Sequence, residues 1–364
     1  MRKLAIVLAL ACIAGLMVTP SPAAEMRGLW VDAFHPGFRN AEQTSAMVAK
    51  AKECGFTALF VQVRKRGDAY YQSATEPLAS DVAAGYDPLA DICRKGHAAG
   101  LEVHAWVSVF QVYHDNKWSP AAAEHIYNRH PDWVMKDDRG RTKFPGDGVY
   151  LDPGLPEVRE YLASVLGEIA GNYAVDGIHL DIVKYPNPSG GYNEASVARF
   201  NQEQKKTGKP SPDDKAWSAW RRAQMTEFIS LAKAKVKQAR KGAKLSASVS
   251  ANTTDSLYNL FQDWPGWLKA GLLDFAVPMV FQQDDRVFKQ LTGEALAASG
   301  GKPVYIGQAG WKLSSGQSAA QVGTARESGA PGIVVYSYYF CSRTRRNSST
   351  SLMDTLRTGL FAQK

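Results

Sequence analysis

Cysteine is scarce. The chain of 364 residues has four, none in a CxxC or Cys/His spacing, so neither a disulfide framework nor a structural zinc site is indicated. Cys54 and Cys93 close two expected helices and Cys341 follows an apolar strand, positions that suit small buried hydrophobes. No GxSxG elbow and no Cys/His arrangement offers a nucleophile. No Gly-rich fingerprint follows the first strand, which argues against a dinucleotide fold. Metal-dependent barrels often place two histidines one residue apart on a strand, but the partner of His104 would be Trp106. No cofactor or metal is therefore expected. Lys and Arg exceed Asp and Glu, 43 to 35, for a net charge of +8. They are scattered over expected helices (Lys205, Lys206, Lys233, Lys235, Lys237) without a continuous stripe, which argues against a nucleic-acid groove.

Long apolar runs are also missing, with one exception. Residues 4–18 are apolar but fall short of the roughly 18 to 20 needed to span a bilayer, so no integral membrane span is expected. Arg2 and Lys3 precede this run, and Thr19-Pro-Ser-Pro-Ala-Ala24 follows it. That order is a secretory signal peptide over residues 1–24, with cleavage near Ala23 or Ala24 and a periplasmic or secreted product. Leu10-Ala11-Cys12 only faintly resembles a lipoprotein box, because Ala9 stands where the usual Leu would be. Cleavage is expected over lipid anchoring through Cys12.

What the chain has in quantity is alternation. Strand signals at 27–34, 58–64, 101–110, 177–183, 244–250, 273–281, 303–308 and 332–338 are separated by helix signals, the clearest at 44–54, 88–99, 156–173 and 213–240. Continuous βα alternation implies parallel strands joined by right-handed crossovers. Eight units without a phosphate fingerprint favour a closed (β/α)8 TIM barrel of the α/β class over an open doubly wound sheet. No Pro-, Gly- or Ser-rich linker divides residues 25–364, so one barrel domain is expected. Oligomeric state leaves no mark in the sequence. Two long stretches, 111–155 and 184–212, follow strands three and four and are read as irregular loops on the carboxyl-terminal face, where barrel active sites are built. They carry Trp118, Trp133, Tyr150, Tyr185 and Tyr192, aromatics suited to stacking on sugars.

Strand parity sorts the polar residues. His179 and Asp181 share a face of strand four; His104, Trp106 and Ser108 share one on strand three; Gln62 and Arg64 on strand two; Trp30 and Asp32 on strand one. Strands five to eight can add Asn252, Gln282, Asp284, Gln308, Trp311, Tyr336 and Tyr338. Glycosidic cleavage needs two carboxyl groups across the scissile bond, one of them an acid with a raised pKa, plus aromatic platforms. Asp181, at a strand end beside loop aromatics, is the first candidate. The bland alternative is a salt bridge from Asp181 to Arg64 or Lys184 that orders the mouth. For the partner carboxyl, Asp284 just past strand six is slightly preferred over Asp32 on strand one, with Asp152, Asp255 and Asp285 less well placed.

At these residues the sequence resembles the glycosyl-hydrolase-like 10 family. The matching stretches are Arg27-Gly-Leu-Trp-Val-Asp32, Val61-Gln-Val-Arg64, Gly67-Asp68-Ala69, His104-Ala-Trp106, His130-Pro-Asp-Trp-Val134, Leu151-Asp-Pro-Gly154 and Asp176-Gly-Ile-His-Leu-Asp181 with Tyr185-Pro186. Trp220-Arg-Arg222, Asp274 and Pro278-Met279 continue it in the family's order. The resemblance implies an envelope (β/α)8 barrel related to glycoside hydrolases, with at least one relative associated with cutting peptidoglycan glycan strands. It implies Asp181 as the central acid, with Asp32, Arg64, His104, Trp106, His179 and Tyr185 around the mouth; Trp311 and Tyr338 are added as sugar-binding candidates from strand position. The sequence departs from the family where many relatives carry a second acid directly after the central one, since Ile182 stands there. Two functions follow as expectations: a glycoside hydrolase acting on a polysaccharide, or a non-catalytic glycan-binding barrel.

Overall fold

The strand signals rest on apolar runs such as Ala58–Arg64, in which every residue is buried, as expected of a parallel sheet covered on its outer face by helices and filled within. A computed structural model describes residues 25–113, 122–344 and 349–362. The expected leader at 1–24, with Cys12, and the loop residue Trp118 lie outside the described residues.

Eight parallel strands close into a barrel: β1 (Met26–Val31), β2 (Ala58–Arg64), β3 (Glu102–Ser108), β4 (Gly177–Asp181), β5 (Lys244–Ser250), β6 (Phe275–Val280), β7 (Ile306–Ala309) and β8 (Gly332–Tyr336). They pair in chain order and β8 closes back on β1 through pairs such as Trp30 with Tyr336. The (β/α)8 expectation is met. The helices start where local chemistry satisfies their free N–H groups. In α1 (Ala41–Glu53) Asn40 accepts from the Gln43 N–H, and in α2 (Pro88–Ala98) Asp87 accepts from that of Ala90, with Pro88 at the first turn. The longest pair, α3 (Pro156–Asn172) and α5 (Lys215–Ala239), lie against each other outside β3 to β5.

The two loops read as irregular are more ordered than that. β3 ends at Ser108, and Gln111–Tyr113 pairs antiparallel with Val149–Tyr150 as a small ribbon. Strands this short offer too little alternation to be read. The second stretch contains α4 (Glu194–Gln204), capped by Asn193, whose mostly polar exposed face hides its period. Cys54, Cys93 and Cys341 are buried.

Candidate active site

Inward-facing residues form layers along the barrel axis. The lowest polar layer holds Glu102 and Lys244, whose Nζ lies 3.0 Å from both Glu102 oxygens. His104 sits just above, its Nε2 3.1 Å from Glu102 Oε2 and its ring stacked on Phe60 at 4.6 Å between centroids. This close approach explains Gly177: a Cβ there would stand 2.4 Å from His104 Nδ1. His104 thus shares the inward face with Trp106 as parity requires, but it lies in the lower core and not at the mouth.

His179 occupies the middle. It is fully buried, with Nδ1 2.9 Å from Ser246 Oγ and Nε2 2.9 Å from Ser248 Oγ. Burial, reinforced by His104, holds its pKa well below the usual histidine range, so the ring is neutral at pH 7. Trp30 and Phe60 pack on it.

Asp181 lies at the strand end, partly buried, and its carboxylate is the hinge of the arrangement. The Trp106 Nε1–H donates to Asp181 Oδ2 at 3.0 Å. Burial raises the Asp181 pKa, against the opposing pull of the Trp106 donor, the Ile182 N–H, the Lys184 charge and the Ser248 hydroxyl. Ile182 follows with φ 52°, a left-handed conformation that a β-branched side chain adopts only under tertiary constraint. Above them opens a groove of about 440 Å³, walled by Asp181, Ile182, Lys184, Ser248, Met279 and Phe281. Phe281 meets Trp311 edge-on at 4.8 Å, and Trp311 meets Tyr336 at 5.0 Å, so three rings stand together beside this groove.

The other expected site residues are engaged elsewhere. Arg64 is completely buried: its Nε and Nη2 clasp Glu76 at 2.7 to 2.8 Å, and its Nη1 donates to the Ser108 and Val109 carbonyls. Burial works against its charge, but Glu76 more than offsets this and its pKa is raised. Asp181 therefore does not pair with Arg64, and Lys184 reaches Asp147 instead, at 3.2 Å. Asp32 is saturated: Oδ1 accepts from the Phe34 and His35 N–H groups and pairs with His35 Nδ1 at 2.7 Å, and Oδ2 accepts from Ser337 Oγ at 2.6 Å. Asp284 is exposed and caps α6 (Asp285–Ala298), accepting from the Arg286 and Val287 N–H groups, which hold its pKa down. Tyr185 is buried edge-on against Phe261 beneath the β4 loop. Tyr338 lines a separate hollow with Pro36 and Gly37 of the loop after β1.

Two participants escaped the sequence reading. Ser248 joins His179 to Asp181, and its signal was legible: Ser246, Ser248 and Ser250 form a polar stripe at period two on one face of β5. Asp147, in Gly146-Asp147-Gly148, is brought to the mouth by Lys184, by the Tyr150 hydroxyl at 3.0 Å, and by Gln111 Nε2, which donates to its carbonyl. Nothing local marks it. Among the described residues no group of three or more His, Cys, Asp or Glu is arranged to hold a metal ion, and no helix is long and apolar enough to cross a membrane.

The profile of the family described as Glycosyl hydrolase-like 10 matches residues 25–329. The chain is 25% identical over 293 residues to glycosyl hydrolase YngK of Bacillus subtilis, covering 72% of this chain and 54% of that protein. It is 25% identical over 312 residues to glycosyl hydrolase DigH of Escherichia coli, covering 72% and 67%. The chain thus spans about half the length of the first of these relatives. Among solved structures, the glycoside hydrolase domain of PgaB (BpsB) from Bordetella bronchiseptica superposes with a TM-score of 0.67 at 15% identity, covering 86% of this chain and 94% of that one. The β-galactosidase of Marinomonas ef1 gives 0.66 at 14%, covering 92% and 58%. At these identities the two structures speak to the fold.

Proposed function

The chain belongs to the glycosyl hydrolase-like 10 family, and from that premise we propose that it hydrolyses O-glycosidic bonds of a polysaccharide, with Asp181 as the acid. The observation that carries this reading is the Asp181 carboxyl itself. It ends a barrel strand, lines a groove of about 440 Å³, accepts from the Trp106 indole, and has a pKa raised by burial. A carboxyl whose pKa is pushed up by burial suits the protonation of a glycosidic leaving oxygen, and the neighbouring rings of Phe281, Trp311 and Tyr336 suit the apolar face of a pyranose. Asp147 is the second carboxyl in this reading, supported by Lys184 and Tyr150; Asp32 and Asp284 already spend their oxygens on Ser337, His35 and a helix terminus. His179 is a positioning residue, neutral beneath Ser248.

The finer substrate of this proposal is the glycan strand of peptidoglycan, met outside the cytoplasm. The leader pattern at 1–24 supports export, and the family supports a carbohydrate substrate. Incubation of the chain from residue 25 with peptidoglycan glycan strands, followed by mass spectrometry of the products, tests activity and linkage together. Asp181→Asn is expected to abolish cleavage while keeping the fold. Unchanged turnover in that variant would overturn the assignment. Ile182, which stands where many relatives carry a second acid, favours one other reading, a glycan-binding barrel without turnover; binding with no release of reducing ends by the unmutated chain would establish it.

A further inference from the structure

A second cavity opens on the same end of the barrel, in the neighbouring sector formed by the loops after β1, β2 and β3. It holds about 330 Å³ and is walled by Phe34, Arg66, Leu78, Tyr113 and His125, among others. That volume lies at the small end of ligand pockets, room for one sugar unit with a short substituent. Phe34 and Leu78 are 43% and 44% exposed, the kind of apolar side chains that a barrel mouth has no packing reason to present to solvent.

The cavity is built, not incidental. His125 pairs through Nε2 with the Arg66 carbonyl at 2.9 Å, while its Nδ1 accepts from the Tyr127 N–H at 3.2 Å. Those two bonds fix one neutral tautomer, and burial lowers its pKa in the same sense. Gly67, at φ +85°, is what allows the approach, since a Cβ there would stand 2.8 Å from His125 Nε2. The β2 and β3 loops are thereby bolted together behind Arg66.

The charges in the cavity are then unequal in one respect. Arg39 is paired with Asp81 at 3.0 Å, and Lys65 has Asp68 at 3.7 Å. The Arg66 guanidinium lies 5.1 Å from the Phe34 ring centroid, its Nε is buried without a hydrogen-bond partner, and no carboxylate among the described residues pairs with it. Burial lowers its pKa, and the nearby Asp68 charge, whose Oδ1 accepts from the Arg66 backbone N–H, offsets that loss of hydration only in part. A buried guanidinium donor without an acceptor calls for an explanation, and the planar fork of arginine matches a carboxylate.

We propose that this cavity is a sugar subsite that takes a carboxylate-bearing unit, with Arg66 receiving the carboxylate and Phe34 the ring. The inference rests on the carbohydrate reading of the family but not on turnover. A single extended glycan lying over the mouth would meet this cavity in the β1 to β3 sector and the Asp181 groove in the β4 to β6 sector.

The test is binding to the Asp181→Asn protein, followed by NMR at arginine Nε–H signals, with N-acetylmuramate, glucuronate and neutral N-acetylglucosamine as probes. One or both carboxylated sugars are expected to move the Arg66 signal and to bind about tenfold or more tightly than the neutral one, the worth of a charge-assisted hydrogen bond. A response to N-acetylmuramate alone identifies a lactyl ether carboxylate, and a response to glucuronate alone a uronate. Arg66→Gln is expected to erase the difference, and Arg66→Lys, which keeps the charge, to retain part of it. Equal binding of the neutral sugar, an unchanged preference in Arg66→Gln, or no response to any of the three would overturn the proposal. Loss of the hydrolase reading would show only in turnover, so the two failures are separable.

Discussion

Replacing Trp106 by Phe removes the indole donor to Asp181. The indole N–H lies 3.0 Å from Oδ2, and the Ile182 N–H and the Ser248 hydroxyl remain beside the carboxylate when it is lost. A hydrogen bond to a charged acceptor is worth about 1.5 to 3 kcal/mol net, and part of it survives when the acceptor is neutral. A difference of about 1.4 kcal/mol between the two protonation states corresponds to one pH unit. Because the donor favours the carboxylate, its loss favours the acid, and Asp181 stays protonated to higher pH. The assay is the pH dependence of kcat/KM on a soluble glycan. The alkaline limb, which reports the acid in the free enzyme, is expected to move upward by about one unit in Trp106→Phe. The smaller ring leaves space in the barrel interior and lowers the melting temperature, but that alone moves no limb. A destabilised variant with both limbs in place, or a limb displaced toward lower pH, would refute the reasoning.

Three further outcomes follow from particular contacts. Burial pushes the Asp152 carboxyl up to about 6 despite the Gly154 and Asn193 N–H donors; the native state then holds this proton more firmly than the unfolded chain, so stability falls as pH rises between about 4 and 6. Asp152→Asn, which keeps an acceptor oxygen, is expected to remove roughly 2 to 3 kcal/mol of that decline in urea unfolding at pH 4 and 7, and an unchanged decline would count against it. Glu76→Ala strands the buried Arg64 charge and is expected to cost about 3 to 5 kcal/mol by denaturant unfolding; a loss below about 1 kcal/mol would mean that Arg64 finds water. Asp284→Ala removes the α6 cap and is expected to leave turnover unchanged with a slightly lower melting temperature; abolished turnover would place Asp284 in the chemistry.

The legible part of the site is its parity. Trp106, His179 and Asp181 share the inward face in the structure as they do by counting along the strands, because side-chain alternation is a property of the backbone alone. Depth along the barrel axis is not such a property. His104 and Trp106 have the same parity, yet one reaches Glu102 near the lower rim and the other Asp181 near the upper. Partner choice and register are non-local too: an irregularity between Gln62 and Arg64 sets Arg64 level with Val107 and it finds Glu76 in the loop after its own strand, while Lys184 finds Asp147 on a different loop. The loop carboxylates carry no periodic signal, so Asp147 could not be distinguished beforehand from Asp152, which is buried under the loop instead.

By itself, then, the sequence determined the order and number of the barrel strands, the helix start at Pro88, and the position of Asp181 at a strand end, since each depends on residues close together in the chain. Closure of the sheet decided the rest. Bringing β8 back to β1 sets Ser337 against Asp32, and the pairing of β4 with β5 seats His179 between two serines. Which carboxyl stays a free acid and which becomes a structural acceptor depends on donors that lie far apart in sequence, and only the folded barrel brings them within bonding distance.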